Sequence, residues 1–126
     1  MIKLGDAFMA MPSRSGTKHL SVVLAFRLRA RHLPAVIMAN ATTMRAWADL
    51  SCVLRPDDVD AHPLIQHESF VVYQRMIERS EESMLREERV APVSAALLLR
   101  MHRGAFASRH TPPEFVPFLK EAMHRR

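Results

Sequence analysis

The stretch His62-Pro63-Leu64-Ile65-Gln66-His67-Glu68-Ser69 places two histidines five residues apart around an apolar pair, with a serine where a β-rich run begins. Imidazole titrates near neutral pH, so a histidine pair can present one neutral base and one protonated acid at the same time. That is the requirement when a hydroxyl attacks a phosphodiester: one group takes the proton of the hydroxyl and the other gives a proton to the leaving oxygen. The competing reading makes His62-Pro63 a turn and His67 a surface or capping residue. A zinc site using both histidines is disfavoured. The single cysteine, Cys52, lies in the apolar run Leu50 to Leu54, and no other ligands stand at metal-binding spacing. Neither a metal nor a cofactor is expected.

Charge supplies a second set of candidates. The formal net charge is +5, and arginine provides 15 of the 18 basic groups. Guanidinium forks bind phosphate bidentately, so an arginine-dominated surface suits a polyanion. A GC-rich genome would also explain the arginine preference, but not the net excess. Arg27, Arg29 and Arg31 alternate over a short run and are the best candidate for an edge that tracks phosphates; the plainer reading is a solvated turn. Arg45 and Trp47 share the polar linker TMRAWAD, where the indole could stack on a base or simply pack. Thr42-Thr43, taken alone, read as an ordinary turn whose hydroxyls bond nearby backbone.

These residues must be positioned by a single domain, since 126 residues give one ordinary core and not two. The spacing predicts strands at Ile2 to Met11, Leu20 to Phe26, Ala35 to Ala39, Leu50 to Leu54 and Ser69 to Met76. A polar loop covers Pro12 to Thr17, a basic turn Arg27 to His32 and a further turn Asn40 to Thr43. Residues 77–91 form a mixed-charge connector, carrying three basic and five acidic groups over 77–89, and read as a solvated loop or short helix. From 92 the period changes to that of a helix: Ser94 is a candidate N-cap, Val93, Leu97, Leu98, Met101 and Ala105 share a face, and Gly104 falls near the end. A Pro-led helix follows over Glu114 to His124. The expectation is therefore α+β: a β part at 1–76, a connector at 77–91 and helices at 92–126. Cys52 reads as a buried hydrophobe, consistent with a reducing compartment. No signal-like or membrane-spanning apolar run is visible, which points to the cytoplasm and to no membrane partner.

The order of these segments resembles the MazF/PemK-type toxins. The carriers are Gly5-Asp6 with its strand, the polar loop before GTKHLSVVL, VIMANATTM, LSCVLRPDD, ESFVVYQRM and VAPVSAALLLRM, in sequence over roughly residues 4 to 105. The resemblance implies a small SH3-like β-barrel of about five strands followed by C-terminal helices. It also implies a homodimer, a cognate acidic antitoxin, and metal-independent cleavage of single-stranded RNA by attack of the ribose 2′-hydroxyl. Where the family has Arg-Pro, this chain has His19-Leu20 preceded by Lys18, so Lys18 or His19 would take the place of the phosphate-clamping arginine. Thr42-Thr43 occupy the family's Thr/Ser pair, with Thr43 contacting phosphate. The expected catalytic set is Lys18, His19, Thr43, His62 and His67. The expected RNA contacts are Thr42, Arg27, Arg29, Arg31, Arg45, Trp47 and Ser69. Two other expectations share this chain's features: a non-catalytic barrel that binds a protein target, as gyrase-poisoning toxins do, and an Arg-rich nucleic-acid module that does not cut.

Overall fold

The computed structural model describes residues 1–11 and 17–125. Most of the expected polar loop, 12–16, lies outside the described residues. The order is β1 (Ala7–Ala10), β2 (His19–Leu28), a 3-10 turn (Ala30–His32), β3 (Pro34–Thr43), β4 (Val53–Leu54), β5 (Ser69–Ser80), α1 (Glu81–Met84), β6 (Glu88–Val90), α2 (Ala95–Ala107), a second 3-10 turn (Pro113–Phe115) and α3 (Val116–His124). The fold is α+β. Six antiparallel strands form one sheet in the order β4-β5-β3-β2-β1-β6, and among the described residues no pairing joins β4 to β6, so the sheet is open.

Successive strand residues point to opposite faces, and both faces here are apolar. Val22, Leu24, Ile37, Val71 and Tyr73 pack with Leu97, Leu98, Met101 and Leu119 from the helices. Their neighbours Phe8, Val23, Val36 and Met38 pack on the other side with Ile2 and Met84. This two-sided burial explains why β2, β3 and β5 carry near-continuous apolar runs. Register shifts between Val23 and Ala25 and between Met38 and Asn40 bend the central strands.

Three expectations change. The stretch 77–91 is not a bare connector, because β5 runs on to Ser80 and Glu88–Val90 forms a sixth strand against β1. Ser80 caps α1 by accepting from the Ser83 amide at 3.1 Å, and Arg79 pairs with Glu87 at 3.2 Å, closing the reversal that delivers β6. Asn40 to Thr43 continue β3 instead of turning, and only Val53 and Leu54 of the fourth run pair as strand. Ser94 does cap α2, accepting from the Leu97 amide at 3.1 Å. Gly104 falls near the helix end as expected, in the last turn of α2, which closes at Ala107.

Arg100 ties α2 to the loop after β4. It donates to both Asp60 oxygens at 2.8 Å and to the Val53 carbonyl at 2.9 Å, and it pairs with Asp58 at 3.2 Å. The Arg100 bond holds the Asp60 carboxyl below its ordinary pKa. At Asp49 burial pushes the pKa up, but bonds from the Ser108 and Ser51 hydroxyls and the Ser51 amide outweigh it and leave the value lowered. A depressed folded-state pKa contributes stability that is present above the unfolded value and lost as pH falls through the folded one. Urea midpoints should therefore drop as pH falls below about 4, the ordinary carboxylate range. Asp60→Asn should lower the neutral-pH midpoint and flatten that acid limb. Burial pushes the Cys52 thiol pKa up, so native protein should resist alkylation by iodoacetamide at neutral pH while urea-unfolded protein reacts fully.

Candidate functional site: a polar groove at one end of the sheet

Register places the floor. Glu88 pairs with Met9, Met9 with Leu20, and Leu20 with Ala41, so one row crosses β6, β1, β2 and β3. Met9, Leu20 and Ala41, with Val90 and Ile65, make an apolar base for a groove of about 650 Å³. Past Leu20 toward the N-terminus come His19, Lys18 and Thr17. Past Ala41 come Thr42 and Thr43, with Thr43 opposite Ser69 on β5. Arg45 and the loop Leu64 to His67 complete the rim. Strand ends and loops thus place Lys18, His19, Thr42, Thr43, Arg45, His67 and Ser69 around one cavity.

The cation balance of this groove is favourable to an anion. Lys18, Arg45, Gln66 and His67 are exposed, and no ion pair joins Lys18 or Arg45 to an acid among the described residues. Among the described residues, Glu88 is the one carboxylate on the rim. Ser69 is buried and its hydroxyl donates to the His67 carbonyl at 2.8 Å, so it holds the loop that carries His67. Among the described residues, no group of three or more His, Cys, Asp and Glu is gathered as a metal ion would need.

Other nominated residues lie elsewhere. His62 is 3% exposed and both ring nitrogens are engaged by backbone: Nδ1 accepts from the Leu64 amide at 3.1 Å, and Nε2 lies 2.5 Å from the Ala91 carbonyl. It does not line the groove. Arg27 and Arg29 stand at the opposite end of β2, on the order of 25 Å of extended strand from His19. Both pair with Glu78, at 3.2 and 2.7 Å, and Arg27 also lies over the Phe118 ring. Arg31 sits in the hairpin turn with a left-handed φ of 63°. The expected phosphate-tracking edge is therefore a hairpin end remote from the groove, where one carboxylate, Glu78, is shared by Arg27 and Arg29. Trp47 is 63% exposed and meets Phe70 edge-on at 5.6 Å, beside the groove and not within its lining.

Gln66 and Glu88 also line the groove, beyond the residues the sequence points to. Gln66 lay inside the singled-out His62-to-Ser69 stretch, so a signal for it existed. Glu88 reaches the groove only through the pairing of β6 with β1.

No family model matches the chain, and no curated protein matches it. No helix among the described residues is long and apolar enough to cross a membrane.

Proposed function

We propose that the groove binds single-stranded RNA and cleaves it without a metal, in the manner of an SH3-like-barrel toxin of a toxin–antitoxin system. The observation that carries the reading is the convergence of Lys18, His19, Thr43, Arg45 and His67 on one cavity, although they come from β2, β3, a turn and a distant loop. The apolar floor suits an unstacked base, and the rim suits the phosphate that follows it.

In the proposed reaction one of His19 and His67, neutral, takes the proton of the ribose 2′-hydroxyl. That oxygen attacks the adjacent phosphorus as the bond to the 5′-oxygen breaks. The other histidine, protonated, gives its proton to the leaving 5′-oxygen. The products are a 2′,3′-cyclic phosphate and a 5′-hydroxyl. Lys18 and Arg45 offset the negative charge that accumulates on the phosphorane, and the Thr43 hydroxyl donates to a phosphate oxygen. The same cationic rim would accept an acidic segment of an antitoxin, and a homodimer and cytoplasmic action go with this reading.

The test is incubation of purified protein with a mixed-sequence single-stranded RNA in excess chelator. Cleavage supports the reading. Salt-sensitive binding without cleavage would assign a non-cutting nucleic-acid module, and no RNA binding at all, with growth arrest on expression, would redirect it to a protein target.

A further inference from the structure

We infer that His62 is a positioning residue that locks together the two walls of the groove; its consequence for catalysis rests on the RNA reading above. One wall is the loop Leu64 to His67. The other is β6, which contributes Glu88 and Val90 and is followed directly by Ala91. The His62 ring sits between them. Since Nδ1 accepts the Leu64 amide proton, it carries no hydrogen, and the proton of the neutral ring is on Nε2, which donates to the Ala91 carbonyl. The Ile65 amide donates to the His62 carbonyl at 3.0 Å, closing the loop on the same residue. Among the described residues, no other hydrogen bond spans these two walls.

The arrangement has a directional consequence. β6 is anchored to the sheet through β1, whereas Leu64 to His67 run through a turn and a bend with no strand pairing. His62 therefore transfers the position of the anchored wall to the loop that carries His67, while the Ser69 hydroxyl holds the far side of the same residue. A shift of about 1 Å in a reacting group costs on the order of a hundredfold in rate, so the bond matters more to turnover than to folding.

The two ring functions can be separated by substitution. The asparagine side-chain oxygen falls where Nδ1 is, and the glutamine side-chain nitrogen falls where Nε2 is. His62→Asn should keep the local bond and lose the cross-link; His62→Gln should keep the cross-link to Ala91. In His62→Asn, backbone amide exchange over 64–67 and 90–91 should accelerate by about tenfold or more, and kcat on RNA should fall by about tenfold or more with KM within about twofold. His62→Gln should stay within about threefold of wild type on both. Unchanged exchange in His62→Asn would overturn the coupling whether or not RNA is cut, so it separates this inference from the functional reading. Equal loss of kcat in both variants, with exchange preserved in His62→Gln, would instead make the ring itself a proton carrier. Should either variant fail to fold, nitrogen chemical shifts of the wild-type ring decide: the neutral Nε2–H tautomer is expected, and an Nδ1–H tautomer at neutral pH overturns the inference.

Discussion

Gly104→Ala is expected to destabilise this protein strongly, although it adds a single methyl. A Cβ at Gly104 would stand 2.3 Å from the Tyr73 hydroxyl, 2.9 Å from the Cys52 Cβ and 3.0 Å from the Ser51 carbonyl. None of these can give way cheaply. Tyr73 is wholly buried and its hydroxyl donates to the Met101 carbonyl at 2.6 Å, while Ser51 contributes backbone. Overpacking of a close-packed interior costs about 1–3 kcal/mol, and this site belongs at or above the top of that range because both neighbours are pinned. Tyr73→Phe alone loses one hydrogen bond, at about 1 kcal/mol. Combining the two removes the shortest contact, so the double variant should be less destabilised than the sum, by about 1 kcal/mol or more. Urea denaturation followed by circular dichroism measures all three, and a Gly104→Ala midpoint equal to wild type would contradict the packing described.

The second large effect is functional. His67→Ala should lower RNA cleavage by about a hundredfold to ten-thousandfold, the usual contribution of a positioned acid or base. It should leave the urea midpoint within experimental scatter, because His67 is exposed and no hydrogen bond among the described residues uses its ring. Lys18→Ala should act differently, weakening RNA binding and reducing its salt dependence, since an exposed ammonium acts on phosphate as a point charge. Unimpaired cleavage in His67→Ala would remove the residue from the chemistry and leave the groove as a binding surface only.

Much of this architecture was legible because local and tertiary preferences agree. β2, β3 and β5 announce themselves as β-branched runs, and α2 as a helical face with a serine at its start, since two-sided burial and a capped amphipathic face leave clear periodicities. β6 does not. Glu88-Arg89-Val90 has an exposed, charged edge, and nothing but its bonds to β1 makes it a strand. Losing β6 meant losing Glu88 and the second wall of the groove. Gly104 is legible as a residue near a helix end, but the contacts that require a glycine come from 31 and 52 residues away, at Tyr73 and Cys52.

The site divides the same way. His62 and His67 look alike in sequence, and spacing says nothing about which ring faces the interior; the Leu64 amide and the Ala91 carbonyl decide it. Arg27 and Arg29 look like free cations until Glu78, on a different strand, is placed between them. Lys18, His19 and Thr43, by contrast, follow from the resemblance in the order of segments. Strand order preserves which ends lie side by side, and that is the property the groove depends on.

The most direct test is the chemistry of the cut ends. Single-stranded RNA incubated with the protein in excess chelator, and analysed by mass spectrometry, should yield fragments ending in a 2′,3′-cyclic phosphate and beginning with a 5′-hydroxyl, and His67→Ala should suppress them. Intact RNA, or fragments carrying a 3′-hydroxyl and a 5′-phosphate, would contradict the proposed 2′-hydroxyl attack within the groove.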